Sequence, residues 1–349
     1  MDIGVIGAGY VGLITAAGLA EIGHRVICVD EDLRKIEVLN SGGMPFYEPN
    51  LADLVERNRQ AKRLEFIGQV EDAVAKCQVI FICVGTPPLE NGEADLSFVE
   101  LVARRISGCA RGYHLVIEKS TVPVQTGRRL QKHFSIYANN SQFRCDVASN
   151  PEFLREGSGV EDFFHPDRIV IGVDSEKAAE LLEEVYQPVL QQSFACPVHA
   201  NCWKRERVPF VVTDINSAEL IKHASNSFLA TKISFINMIA DLCEAVGADV
   251  GKVAEAVGMT RGSAAASSDP AWDSAAPAFP RTFKLSCGPA RMRAVTFPCC
   301  GKWNASTRPA SIRSSRKSRM SFGWYAENGS RFGDSPSNLA PTMSGLHPR

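Results

Sequence analysis

The chain has 349 residues, enough for about two domains of ordinary size. Its 45% hydrophobic and 22% charged residues are those of a soluble globular protein, and no apolar run is long enough to span a bilayer. The net charge of −1 conceals an asymmetry: from Arg261 onward there are 13 Lys+Arg against 4 Asp+Glu, a net of +9, which leaves −10 for residues 1–260.

Met1-Asp2 runs straight into an apolar strand without a basic leader, so a cytoplasmic location is expected. The eleven cysteines are read as reduced thiols rather than a disulfide framework or zinc site, and no metal is expected. Short Val- and Ile-rich runs at Ile3–Ile6, Arg25–Asp30, Val79–Val84 and Leu115–Glu118 alternate with longer helical stretches. Val147–Asn150 reads as a further strand end, and Arg168–Val173 as a strand followed by a helix over roughly Lys177–Val189. Repeated βα units of this kind imply a Rossmann-like, doubly wound parallel α/β sheet. From Ser217 to about Gly247 the apolar spacing is helical and unusually long, as in a helix that links domains or subunits. After Met259, Ser, Ala, Pro and Arg dominate and periodicity is lost. The expected division is therefore 1–210 for the sheet domain, 211–260 for the start of a helical central domain, and 261–349 for an aberrant basic tail.

The first strand ends in Gly7-Ala8-Gly9-Tyr10-Val11-Gly12, and a helix follows at once. Gly7 permits the tight turn, Gly9 lets a pyrophosphate approach the backbone, and Gly12 allows close helix–strand packing. Asp30, at the end of the second strand, can accept from both ribose hydroxyls of NAD and would repel the 2′-phosphate of NADP. Val84-Gly85-Thr86-Pro87 and Lys119-Ser120-Thr121-Val122-Pro123 end two further strands at the same edge. Either could be an ordinary turn, but their recurrence favours a shared ligand.

Glu152 and Glu156 are four apart and, on a helix, would share a face that could position water or move protons. A solvated helix start with acidic residues complementing the dipole fits the same spacing, and on spacing alone fits it better. Lys222 and Asn226, one turn apart on the long helix, could converge on a developing oxyanion, or Lys222 could simply snorkel to water. His165 and His223 show no partners at metal-ligand spacing and read as structural, while Cys28, Cys77, Cys83 and Cys109 read as fillers.

Together these residues resemble the UDP-glucose/GDP-mannose dehydrogenase family. The matching stretches are VIGAGYVGL (5–13), PFYEPNL (45–51), FICVGTP (81–87), EKSTVPV (118–124), NPEFLREG (150–157), RIVIG (168–172) and SAELIKHASNSFLATKISFIN (217–237). The likeness spans about 1–259, apart from a longer stretch near Gln191–Val211 to which no role is assigned.

The resemblance implies NAD-dependent oxidation of a nucleotide sugar's C6 alcohol to a carboxylate, and the SFLATKISFIN stretch favours UDP-glucose. It implies that Gly7, Gly9, Tyr10, Val11, Gly12, Asp30, Lys35, Thr86, Thr121 and Glu156 meet the cofactor. Glu152, Phe153, Leu154, Arg155 and Glu156 would meet the sugar, with Lys222 and Asn226 stabilising the oxyanion at C6. Thr121, Glu152, Glu156, Lys222 and Asn226 would form the catalytic set. A homodimer through the long helix is implied for an intact member, but not for this chain.

The family's second oxidation passes through a thioester on the cysteine of a GFGGSCFPKD motif. That motif does not occur in the chain, and Cys287, Cys299 and Cys300 lack its flanking pattern. The genetic code accounts for this. When each codon is formed from the third base of one residue and the first two bases of the next, Trp272-Asp273 forces Gly. Permitted codons through Thr282 then spell Phe-Gly-Gly-Ser-Cys-Phe-Pro-(Lys/Glu)-Asp. The same shift turns Ala326–Pro348 into a sequence resembling the opening of the family's third domain. A frameshift near Thr260 therefore explains the basic tail without a nucleic-acid or membrane role, and a catalytically incomplete chain is expected.

Overall fold

Aliphatic runs at Asp2–Ile6 (β1), Arg25–Val29 (β2), Leu64–Ile67 (β3), Val79–Ile82 (β4), Tyr113–Glu118 (β5), Arg144–Ser149 (β6), Ile169–Gly172 (β7) and Phe210–Thr213 (β8) pair into one sheet. The computed structural model describes residues 1–137, 143–200, 202 and 206–259. The strand order is β3-β2-β1-β4-β5-β6-β7-β8. Pairing is parallel from β3 to β6, so the order reverses between β1 and β4, where open sheets of this type hold ligands. The purely parallel expectation needs one change: β7 meets β6 antiparallel, through Ser149 and Gly172, and β8 then runs parallel to β7.

The helices are Tyr10–Glu21 (α1), Leu33–Asn40 (α2), Leu51–Gln60 (α3), Val70–Lys76 (α4), Ser97–Cys109 (α5), Thr126–Tyr137 (α6), Gly159–Phe164 (α7), Glu176–Leu190 (α8), Ile215–Val246 (α9) and Val250–Gly258 (α10). The central strands read as unbroken apolar runs because both faces are covered. Ile3, Val5, Val79, Phe81, Leu115 and Ile117 face a core shared with α1, α3 and α8. Ile6, Ile80, Ile82 and Val116 face the opposite core, shared with α4, α5 and α6.

The 32-residue helix α9 starts on Asp214, whose carboxylate accepts from the Ser217 N–H, and stops at Gly247, which takes a left-handed conformation (φ 74°). At ~1.5 Å per residue it extends about 48 Å. Ile215, Ala218, Glu219 and Lys222 are buried near its start, whereas Phe228, Leu229 and Ile233 further along are more than half exposed. Glu219 ties α9 to the sheet domain by accepting the Gln125 and Gly127 N–H groups at 2.6 and 2.7 Å. Among the described residues, no helix is long and apolar enough to cross a membrane.

Candidate functional site

The turn from β1 into α1 forms the floor of a groove lined by Gly7, Gly9, Asp30, Glu31, Lys35, Gly85 and Arg105, among others. Gly7 has φ +107°, and its N–H donates to Val29 O at 2.7 Å, which binds the turn to β2. A Cβ on Gly12 would fall 1.8 Å from Gly7 O, so only glycine lets α1 approach this closely. A Cβ on Gly9 would meet nothing within 4 Å; the space above it is open to a ligand. Gly9 caps α1 without a side chain, leaving N–H groups at a helix N-terminus for an anion.

Asp30 closes the far side of this groove. Its Oδ2 accepts from Ala8 N at 2.8 Å and Lys35 Nζ at 2.7 Å, and its Oδ1 accepts from Asp32 N at 3.0 Å. Val11 lies in the first turn of α1 with Tyr10. The Tyr10 hydroxyl, however, points away from the turn, lying 3.0 Å from Glu48 Oε2 and 2.8 Å from Arg155 O. Burial and the Glu48 carboxylate push its pKa up, so it stays a neutral phenol. Thr86 and Thr121 meet across the strand ends, Thr86 Oγ1 donating to Thr121 O at 2.8 Å.

The segment 151–158 corrects one expectation. It is a loop, with α7 starting only at Gly159, so Glu152 and Glu156 share no helical face. Local hydrogen bonds compete with the helix: Glu152 Oε2 takes the Leu154 N–H at 2.6 Å, and Asp162 takes the Arg155 N–H at 2.8 Å. The two carboxylates part as a result. Glu152 turns inward onto Lys222 Nζ at 2.9 Å, while Glu156 stays exposed. Phe153 lies beneath the Arg168 guanidinium, 4.1 Å from ring centre to Cζ, with Lys222 Nζ 5.4 Å away. Leu154 is partly buried against the core, and the Arg155 side chain pairs with Asp162. On α9, Lys222 is buried and Asn226 exposed, so the structure brings Glu152, Phe153 and Lys222 together and leaves Asn226 and Glu156 at the surface.

Sequence reasoning missed several supporting residues. Glu48, inside PFYEPNL, is buried and accepts from Gly157 N at 2.9 Å and Gly159 N at 2.7 Å as well as facing Tyr10, so it pins the 151–158 loop. Lys119 and Glu118 are both buried at the end of β5. Lys119 Nζ donates to Asn150 Oδ1 at 3.0 Å, and burial lowers its pKa. Burial likewise pushes the Glu118 carboxyl up to about 8, only partly offset by hydrogen bonds from Ser120. The motifs EKSTVPV and NPEFLREG contain these residues, but nothing in their spacing announces burial.

His165 is a second correction. It does have partners: its Nε2 lies 3.2 Å from Cys196 Sγ and 3.4 Å from Cys202 Sγ, with His199 alongside. Those partners come from the stretch 191–211 and were readable as Cys196-Pro-Val-His199-Ala-Asn-Cys202. His223, in contrast, faces a backbone carbonyl, Val122 O, at 2.6 Å. Cys28, Cys77 and Cys83 are buried, and burial pushes all three thiols up. The absent nucleophile motif and the basic tail lie outside the described residues.

Comparison with known proteins follows the same geography. Residues 1–190 match the NAD binding domain of the UDP-glucose/GDP-mannose dehydrogenase family, and residues 216–283 match its central domain. The chain is 48% identical over 74% of its length to the UDP-glucose 6-dehydrogenase TuaD of Bacillus subtilis, covering 52% of that protein. It is 47% identical to a UDP-glucose 6-dehydrogenase of Rhizobium meliloti, again over 74% of this chain and 56% of the relative. The structure of a UDP-glucose dehydrogenase from Pyrobaculum islandicum superposes with a TM-score of 0.67 at 42% identity, covering 74% of this chain and 56% of that one. A GDP-mannose dehydrogenase ternary complex from Pseudomonas aeruginosa gives 0.66 at 33%, with the same coverage. The chain thus spans about half the length of the relatives it matches. Within that half, the glycine turn and Asp30 lie inside the matched NAD binding domain, and the chain belongs to the UDP-glucose/GDP-mannose dehydrogenase family.

Proposed function

We propose that the chain derives from an enzyme oxidising the C6 alcohol of UDP-glucose to a carboxylate, and that as written it binds NAD without completing that reaction. The observation that supports the reading is one sheet edge that carries both a glycine turn and a buried ion pair. The glycine turn closed by Asp30 and Lys35 stands at β1 and β2, and the Glu152–Lys222 pair stands past β6. NAD, when bound, supplies the hydride acceptor.

The chain's own residues would do the rest. Free N–H groups at the start of α1 would hold the pyrophosphate, and Asp30 would accept from the adenosine ribose, held in place by Lys35. Thr86 and Thr121 would line the nicotinamide side. Phe153, Leu154 and Arg155 would shape the sugar pocket, and Glu156 would reach the cofactor or a water. The Lys222 ammonium would stabilise negative charge on the C6 oxygen as its proton leaves, with Asn226 one turn further along as a second donor. Glu152 holds that ammonium in place. UDP-glucose is favoured by the relatives that match over most of this chain; other nucleotide sugars are the second reading, since the matched structures include a GDP-mannose dehydrogenase.

The second oxidation needs a thiol nucleophile, and the sequence lacks the motif that carries it in this family. We attribute this to a frameshift near Thr260, with 1–210 as the cofactor domain and 211–260 as the start of the central one. The test is titration of the purified chain with NAD, with Asp30→Ala as control, followed by steady-state NADH formation with UDP-glucose. Expected are saturable NAD binding, about 10-fold or more weaker in Asp30→Ala, and no turnover. Steady NADH formation dependent on UDP-glucose would overturn the inactive reading. Coding DNA in which no alternative frame spells GGSCFPKD would overturn the frameshift.

A further inference from the structure

Away from the dinucleotide groove, the connection between α8 and β8 spans residues 191–209, longer than the ~12–15 residues a compact domain usually tolerates, and its described residues hold no helix or strand. The Val208 N–H donates to Leu190 O at 2.9 Å and pinches its base. Phe194 packs on Phe164 and His165, with ring centres 5.2 and 5.8 Å apart, so the excursion folds back over the C-terminal end of α7. There the ligand atoms of His165, Cys196, His199 and Cys202 all lie within 4.8 Å of one another.

We propose that these four side chains bind one structural zinc ion. Zinc with two sulfur and two nitrogen ligands, at ~2.3 and ~2.0 Å, puts neighbouring donor atoms roughly 3.3–3.8 Å apart. The observed separations fit: His165 Nε2 is 3.2 Å from Cys196 Sγ and 3.4 Å from Cys202 Sγ, and Cys196 Sγ is 3.6 Å from His199 Nδ1. Hydrogen bonding alone satisfies this arrangement poorly. One imidazole lone pair accepts one proton, yet two sulfurs converge on His165 Nε2. A cation accepting electron pairs from all four groups resolves the conflict, and this soft donor set in tetrahedral spacing selects zinc over calcium or magnesium.

The surroundings are those of a supported site. Gln192 Oε1 lies 2.8 Å from His165 Nδ1, and the Gln192 amide nitrogen donates to Phe164 O and Val189 O. The Gln192 oxygen is thereby aimed at Nδ1, which must carry the proton and leaves Nε2 as the ligand. Gln192 takes a left-handed backbone (φ 50°) to reach this position. His199 is arranged in the reverse sense, with Nδ1 toward the sulfur and Nε2 3.7 Å from Glu161 Oε1. The His199 backbone N–H also donates to Cys196 Sγ at 3.3 Å. Four protein ligands leave no position open for a reacting water, so the site is structural. Its effect would be to staple the excursion to α7, whose Asp162 in turn holds Arg155 of the 151–158 loop.

The test is elemental analysis of the full chain purified without added chelator, followed by replacement of the metal with cobalt. About one zinc per chain is expected, and the cobalt form should show the visible bands of a tetrahedral ion with near-ultraviolet thiolate-to-cobalt charge transfer. The variant C196S/C202S should lose that equivalent, whereas C287S/C299S/C300S should keep it, which separates this cluster from the tail cysteines. Should the first variant be insoluble, titrating thiols of the unaltered chain with a mercurial, zinc release being followed by a metallochromic dye, should release one zinc as two thiols react. Chelation should lower the thermal midpoint by about 5–10 °C. A folded chain that takes up less than about 0.2 zinc from an equimolar solution would overturn the proposal. So would full zinc content in C196S/C202S, or a Cys196–Cys202 disulfide in the purified chain.

Discussion

Glu118 offers the sharpest test of how the strand ends are built. Its carboxyl is buried, Oε1 accepts the Ser120 N–H at 2.7 Å, and Oε2 has no hydrogen-bond partner among the described residues. Burial holds the proton on, raising the pKa from an ordinary 4.5 to about 8. A carboxyl raised on folding binds a proton that the unfolded chain has already released. Its contribution to stability is therefore fully present below about pH 4.5, is lost as pH rises, and is gone above about 8. The span of roughly 3.5 pH units converts, at ~1.4 kcal/mol per unit, to a ceiling of about 5 kcal/mol. Relaxation and water entry would reduce this to about 2–4 kcal/mol.

Glu118→Gln removes the titration and keeps the shape. At pH 5 the variant should be less stable by about 1–3 kcal/mol, because an amide N–H₂ replaces Oε2 where no acceptor waits. At pH 8.5 that deficit should shrink or reverse, since the unaltered chain there holds either a buried carboxylate or a proton taken at cost. Urea unfolding of both chains between pH 5 and 9 measures the difference. Lys119, lowered by burial, and Glu219, raised by burial, also shape each curve, but both remain in the two chains and cancel in the comparison. Two curves parallel to within about 0.5 kcal/mol across that range would refute the burial argument.

The glycine turn separates packing from binding. Gly12→Ala should cost about 3 kcal/mol or more and abolish NAD binding with it, because the new Cβ meets the Gly7 carbonyl rather than a side chain that can move. Gly9→Ala should leave the thermal midpoint within about 3 °C while weakening NAD about 10-fold or more, since its Cβ points into open groove. Equal effects on stability from the two changes would show that the space over Gly9 is not a ligand site. Lys222→Met or Glu152→Gln alone should each cost about 2–4 kcal/mol, leaving a charge with little exposure and without its counter-charge, and the double variant should recover much of the loss. Strict additivity in that double-mutant cycle would mean that the pair does not interact.

The sheet was legible because parallel strands covered on both faces cannot hide their apolar runs, and Gly7, Gly9, Gly12 and Asp30 sit at fixed offsets that backbone geometry demands. The long helix was legible for a related reason: three- and four-residue apolar spacing persists from Ile221 to Ile236 and Gly247 marks its end, although it begins at Ile215 on the Asp214 cap, two residues before the expected Ser217. The strands β3 and β8 escaped notice. In Leu64–Ile67 the apolar run is broken by Glu65, and β8 is an edge strand whose Val211 and Val212 are exposed. The Glu152–Glu156 helix was misread because four-residue spacing says nothing of where side chains compete for backbone N–H groups. Asp162, which captures the Arg155 N–H from seven residues away, was not part of the pattern. The His165 cluster failed for want of one long-range contact: C-x-x-H-x-x-C supplies three donors locally, and the fourth arrives from the end of α7.

The placement of charge along the sheet edge distinguishes a site from a core. Glu118, Lys119, Lys222 and Asn150 are each less than a tenth exposed, an arrangement that destabilises a fold unless the groups are paired or their protonation changes. Lys222 is paired with Glu152 at 2.9 Å, and Lys119 rests on the oxygen of Asn150, which the Tyr186 hydroxyl also approaches at 2.6 Å. Glu118 answers burial by keeping its proton to about pH 8. All four lie at the C-terminal ends of β5 and β6 or on the first turns of α9, and none lies at the opposite edge. A stability argument alone would place leucine and valine at these positions, as it does one strand away at Ile80 and Ile82. The cost falls where the proposed reaction would use a dry pocket and a fixed ammonium. The frameshift proposed near Thr260, unlike gradual divergence, would leave such a pocket intact, because residues upstream of it would have had no time to relax toward an ordinary core.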